Sequence, residues 1–252
     1  MAEVPGGQAI QVDGLRVAFG DFVAIPGLSF IARYGEIHGV IGPNGAGKTT
    51  LLDVITGKTR PKGGKVLLDG RIDLLRLSEP EIALAGVGRK FQKPSVFDAL
   101  SVRENLELAL RLEPRSIRAE VLRWGDARRA GRVAEVLAEI GLASVAERLA
   151  GTLAHGQKQW LEIGMLLMQR PRLLMLDEPV AGMTEQETAH TADLVRRLKA
   201  PDRAVLVIEH DMAFVEEIAD RVTVLHEGAP IFEGGMAAAR ANDRVREVYL
   251  GR

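Results

Sequence analysis

Residues Gly42-Pro43-Asn44-Gly45-Ala46-Gly47-Lys48-Thr49-Thr50 follow the apolar run Ile37 to Ile41 and precede a helix-like segment that ends near Gly57. No other stretch constrains the fold as strongly. Glycines let successive backbone N–H groups curl around a phosphate, the amino end of the following helix adds partial positive charge, and Lys48 neutralises the β/γ oxygens. The hydroxyl of Thr49 suits Mg²⁺. A pattern of this kind carries meaning only between a strand and a helix, and that is where it stands. The alternative is a glycine-rich turn that holds no ligand.

The rest of the chain supplies the body for such a loop. The amino-terminal runs AIQV, LRVAF, GLSFIA and EIHGVIG are β-like and are separated by Gly14, Gly20, Pro26-Gly27 and Gly35, which predicts short antiparallel strands leading into a buried strand, Ile37 to Ile41. KVLLDGRID reads as a hairpin with Asp69-Gly70 at its turn. Ser78 and Glu81 have capping-box spacing and open a short helix that closes at Gly86, after which VGRKF reads as a strand.

From Phe91 to about Gln159 helical periodicity takes over. Ser101 and Glu104 form a second capping box, with Val102, Leu106, Ala109 and Leu110 on one face, and Val133, Val136, Leu137 and Ile140 make a second apolar stripe. The runs LLMLDEP, RAVLVIEH and RVTVLHEG then restore a β/α rhythm, which implies a mostly parallel sheet covered on both faces.

Composition narrows the function. With 252 residues, 46% of them hydrophobic and 27% charged, the chain can bury a sizeable core, with room for an inserted subdomain. The formal net charge is −1 and no block of like charges appears, so nothing resembles an arm for gripping nucleic acid or anionic lipid. Arg128-Arg129-Ala130-Gly131-Arg132 reads as a solvated linker. The absence of cysteine excludes disulfides and thiolate metal sites. MAEVPGGQ has no basic and apolar leader pattern, and no apolar run is long enough to cross a bilayer, so the chain is expected to stay in the cytoplasm unless a partner tethers it.

Two carboxylates close the apolar run Leu173 to Leu176. Asp177 is placed to hold the water shell of a metal, and Glu178 to polarise an attacking water. Taken alone, the pair could equally be a strand exit with solvated acids. His210 ends the next strand-like run, at the carboxyl edge where ligands gather in parallel sheets, although a lone His there is often structural. Gln92 ends another such run and is by itself unremarkable.

GPNGAGKTT, KFQKP, LAHGQKQ, LLMLDEP and VIEHD together resemble, in order and spacing, an ATP-binding-cassette ATPase, over essentially the whole chain. The resemblance implies an α/β P-loop NTPase cassette with an antiparallel β subdomain and an inserted helical subdomain. The corresponding boundaries are a core of residues 1–92 and 160–252, an insertion of 93–159 and a carboxyl-terminal tail of 228–252 packing on the core.

The same resemblance implies Phe19 stacked on adenine, the loop from Gly42, Pro43, Asn44, Gly45, Ala46 and Gly47 to Lys48, Thr49 and Thr50 on the phosphates of ATP, and Mg²⁺ held by Thr49, Gln92 and, through water, Asp177. Glu178, His210, Gln92 and Lys48 become the catalytic set, with His210 touching the γ-phosphate. Ala154, His155, Gly156 and Gln157 would hold the γ-phosphate of a second cassette's nucleotide in trans, and Val180-Ala181-Gly182-Met183 would be the loop that crosses to that cassette.

Further partners implied are two membrane permeases and, indirectly, a solute-binding protein, with the chain peripheral on the cytoplasmic face of the membrane. Within the family, DVITGKTRP, LSEPEIA, GVGRKFQKPSVF, HGQKQWLEIGMLL, DEPVAGMT and the tail VREVYLGR look most similar to the ATPases of urea-type importers, in the branch that includes branched-chain amino-acid importers. The alternatives are a branched-chain amino-acid or amide importer, a soluble cassette ATPase of nucleic-acid or translation machinery, and a nucleotide-binding regulator without catalysis. The chain departs from the family where Ala154 replaces a serine, His155 a glycine and Thr184 an aspartate.

Overall fold

The computed structural model describes residues 7–90, 95–110 and 126–250. Its residues divide into two compact units. One comprises Met1–Arg89, Arg172–Pro179 and Val195–Arg252, and the other Lys90–Pro171 and Val180–Leu194.

The first unit carries two sheets. Strands β1 (Gln8–Phe19), β2 (Phe22–Arg33), β4 (Gly63–Leu68) and β5 (Ile72–Asp73) form an antiparallel sheet in the order β2-β1-β4-β5. The sequence predicts breaks at Gly14 and at Pro26-Gly27, but the strands run through both. The register shifts between Val12 and Leu15, where Gly14 has φ +56°, so the glycine makes a bulge rather than an end. Pro26 is tolerated because β2 is an edge strand, with one side outside the ladder. Asp69 and Gly70, both at positive φ, make the expected turn between β4 and β5.

The second sheet has the order β10-β9-β3-β8-β7-β6, from β3 (Ile37–Ile41), β6 (Val87–Lys90), β7 (Leu173–Asp177), β8 (Ala204–Glu209), β9 (Arg221–His226) and β10 (Ala229–Gly234). The pairs β3–β8, β3–β9 and β7–β8 are parallel and β9–β10 is antiparallel. Every residue of β3, β7 and β8 is buried, which is why these segments read as unbroken apolar runs instead of alternating ones.

Helix α1 (Lys48–Ile55) follows β3. Helix α2 (Glu79–Ala85) begins at Ser78, whose N–H and hydroxyl both donate to Glu81, and ends at Gly86 with φ +103°. Beyond β8 come α7 (Met212–Ile218), α8 (Met236–Ala241) and α9 (Asp243–Leu250), with helix α6 (Glu185–Arg197) before it. Tyr249 on α9 is partly buried against a cluster that includes Ile41, Val222 and Val245, and burial pushes its phenol above the usual range.

The second unit is helical. Helix α3 (Val102–Ala109) is capped by Ser101 and Glu104 as the spacing predicts, with Glu104 N–H donating to the serine hydroxyl and Ser101 N–H to the glutamate. Helix α4 (Asp126–Glu139) buries Val133, Val136 and Leu137, with Ile140 just beyond, and α5 (His155–Met168) packs on it at Gly164, where an added Cβ would meet Ile140, Leu106 and Val136.

One expectation is overturned here. The basic cluster Arg128–Arg132 is not a linker: it lies within α4, and Arg132 donates to the carbonyl of Leu167 at 2.7 Å. The helix that carries the apolar stripe carries the cluster with it, and the arginine stem folds along the packed surface to reach a carbonyl near the end of α5.

Candidate functional site

The parallel register brings three strand ends to one edge of the first unit's larger sheet. Ile41 pairs with Glu209 and with Val224, and Asp177 pairs with Ile208, so Gly42, Glu178 and His210 all emerge at the carboxyl ends of neighbouring strands. That edge is where open parallel sheets bind ligands.

Gly42 and Gly47 are required by the backbone. A Cβ on Gly42 would stand 2.3 Å from the carbonyl oxygen of Leu225, and Gly47, the residue capping α1, has φ +92°. The side chain of Lys48 is almost buried and donates to the carbonyls of Gly42 at 2.6 Å and Pro43 at 2.9 Å. Burial lowers its pKa below the ordinary lysine value, opposed by the carboxylates of Glu178, Asp177 and Glu209. Thr49 is exposed on the first turn and Thr50 is half-buried.

Glu178 sits at φ +47°, a sparsely populated region for a residue with a side chain, and its N–H donates to Ile208 at 2.9 Å. The turn aims its carboxylate at His210, whose Nδ1 lies 3.6 Å from Oε1. His210 is exposed and its backbone N–H donates to the buried Glu209 at 3.1 Å. The structure therefore brings together Lys48, Asp177, Glu178 and His210. Phe19 is 53% exposed rather than buried in the β subdomain's core, and Phe22, opposite it in the hairpin, is 67% exposed. Gln92 lies outside the described residues.

One part of this site escaped the sequence reading. Arg89, on β6, is buried and bridges two acids: Nη2 reaches Asp177 Oδ2 at 2.9 Å and Nη1 reaches Asp53 Oδ1 at 2.5 Å. A charge inside a strand buried along its whole length must be paired, and that was the available signal. The other carboxylate oxygen of Asp177, Oδ1, is buried with no hydrogen-bond partner among the described residues.

The LAHGQKQ segment belongs to the helical unit. Ala154 has the extended conformation of an N-cap, φ −62° and ψ +161°, but no side-chain oxygen to use it. Only half of a capping box remains, the N–H of Ala154 donating to Gln157 Oε1 at 3.2 Å. The N–H of Gly156 donates at 3.2 Å to Glu187, a residue not singled out in the sequence. Thr184 and Glu187 nevertheless show the spacing of a capping box, and that signal was legible.

Residues 25–181 match the family described as ABC transporter. The chain is 39% identical over 249 residues to the high-affinity branched-chain amino acid transport ATP-binding protein BraF of Pseudomonas aeruginosa, covering 96% of this chain and 97% of that one. It is 37% identical, with the same coverage, to LivG of Escherichia coli K12, described in the same words.

Among solved structures, the ADP conformation of an ATP-binding cassette of an ABC transporter superposes with a TM-score of 0.84 at 29% identity, covering 97% of this chain and 99% of that one. A nucleotide-free cassette gives 0.80 at 28% identity, covering 97% and 100%. The fold expected from the sequence, a cassette with antiparallel and helical parts, is the one observed. The chain belongs to the ABC transporter family, as one of its ATPase cassettes.

Proposed function

We propose that this chain is the ATP-hydrolysing subunit of an importer for branched-chain amino acids or closely related small solutes. The observation that carries the reading is the full-length similarity to BraF and LivG, together with a phosphate loop, a paired carboxylate and a histidine assembled at one sheet edge. The sequence wording favoured urea, and that reading stands second, on stretches such as HGQKQWLEIGMLL alone. The full-length relatives named above carry the amino-acid description, so it leads.

In this reading the loop from Gly42 to Thr50 holds the phosphates of ATP and Phe19, already exposed, offers its face to the adenine. Thr49, Gln92 and Asp177 would hold Mg²⁺, and the buried Oδ1 of Asp177, without a hydrogen-bond partner among the described residues, fits an acceptor kept for a cation's water shell. Mg²⁺ there supplies neutralisation of phosphate charge. Glu178 polarises the attacking water, and His210, close to Glu178, reaches the γ-phosphate.

Ala154 to Gln157 would face the nucleotide of a second cassette, a heterodimer being the expected pairing, and two permeases and a solute-binding protein complete the machine. No helix among the described residues is long and apolar enough to cross a membrane, which accords with a peripheral place on the cytoplasmic face.

The test is uptake by vesicles containing the chain with its permeases, second cassette and binding protein. Labelled leucine should accumulate with ATP inside, and Lys48→Ala should abolish it. Accumulation of urea without leucine would reverse the order of the two readings, and import of neither would reject both.

A further inference from the structure

Within the helical unit, the amino end of α5 and the loop Val180–Thr184 are joined by two polar links. Glu187, in the first turn of α6, uses both carboxylate oxygens. Oε2 accepts from the N–H of Thr184 at 3.0 Å and from its hydroxyl at 2.9 Å, while Oε1 accepts from the N–H of Gly156 at 3.2 Å. The first pair belongs to a capping box, since the N–H of Glu187 donates back to the Thr184 hydroxyl at 3.3 Å.

The third bond is not part of any cap of α6. It reaches a different helix and satisfies an amide that α5 leaves without an intrahelical partner. Gly156 is buried under the glutamate: a Cβ there would stand 2.6 Å from Oε1, so glycine leaves the carboxylate its seat. The Thr184 amide and hydroxyl, then the Gly156 amide and His155, hold Glu187 below the usual carboxylate range despite some desolvation.

The second link is His155. Its Nε2 lies 3.3 Å from the carbonyl of Ala181 and 3.1 Å from Gln159 Nε2. To serve the Ala181 carbonyl, Nε2 must carry the proton, and it then faces a second donor in the Gln159 amide nitrogen, while Gln159 Oε1 is buried with no hydrogen-bond partner among the described residues. With the Gln159 amide turned over, one His155 N–H serves both Oε1 and the Ala181 carbonyl, which satisfies all three groups.

We infer that Glu187, with His155 beside it, is a positioning residue for ATP hydrolysis, clasping the end of α5 to the loop Val180–Thr184. The inference rests on the proposal that residues 154–157 face a partner cassette's nucleotide. Without the clasp the end of α5 keeps its own first turn, through Lys158 N–H to the Ala154 carbonyl and the Gln157 half-cap. What it loses is a fixed place relative to the loop, and small misplacements of groups around a reacting centre slow chemistry more than they weaken binding.

The test is an ATP-saturation curve for the assembled transporter. Glu187→Ala should lower kcat about tenfold while KM for ATP stays within about twofold. Glu187→Gln keeps an oxygen for the Gly156 amide and should retain at least about half of kcat. A wild-type kcat in Glu187→Ala overturns the inference. So does an equal loss in both variants accompanied by a lowered melting temperature, which marks a structural role. Lys48→Ala, run alongside, separates the underlying reading: turnover retained there rejects the ATP site itself, whereas turnover abolished there with Glu187→Ala unaffected rejects the clasp alone.

Discussion

Two helix ends in this chain invite comparison, the start of α1 at Lys48 and the start of α5 at His155. Neither has an acidic residue of its own in the first turn, so both present the partial positive charge of a helix amino end. Around α1 the loop winds through glycines, and a nearly buried lysine sits on the loop's own carbonyls. Around α5 the cap is an alanine, and one of the free amides already donates to a carboxylate from another helix. The two helix ends therefore share a dipole and differ in the charge set beside it. At α1 the helix's own first residue, Lys48, adds a cation, whereas at α5 a neighbouring helix adds an anion, so a phosphate proposed to sit there would have to be met by the remaining donors.

The strongest way to break this comparison acts on the first region. Glu178→Gln should reduce steady-state ATP turnover by about 10² to 10⁴-fold, the range for loss of a general base. A loss under about tenfold would remove Glu178 from that role.

A smaller but still large effect is expected beneath the same site. Arg89→Met leaves Asp177 and Asp53 without the guanidinium that bridges them, and breaking a buried pair on one side costs about 3–5 kcal/mol. Guanidinium denaturation of the isolated chain measures it, and an unchanged midpoint would show that the bridge is not needed for stability.

The smallest effect sharpens the other end. Ala154 already has N-cap backbone angles, so Ala154→Ser supplies the missing acceptor and should stabilise the chain by about 1 kcal/mol. If these residues do face a partner's phosphate, the same hydroxyl should also raise turnover. A melting temperature and turnover both unmoved would mean that the serine position is idle in this chain.

Local chemistry was well legible. Capping boxes at Ser78 and Ser101, the Asp69-Gly70 turn, the end of α1 at Gly57 and the apolar runs of β3, β7 and β8 all stand where short-range rules put them. The same rules misjudged Gly14 and Pro26, because whether a glycine or proline ends a strand depends on the neighbouring strand that absorbs it. They misjudged the arginine cluster of α4 for a related reason: a basic stretch looks solvated until the acceptor it folds onto is known.

By itself, then, the sequence determined the glycine-rich loop after β3, the carboxylate pair, several helix ends and the family, since each depends on residues close together in the chain or on their order. Only the tertiary structure decided which distant groups meet. Arg89 joins Asp53 to Asp177, Glu178 turns toward His210, and Glu187 takes the amide of Gly156. The physical reason is that a buried charge or an unpaired amide must find a partner somewhere, and that need is local while the identity of the partner is set by packing.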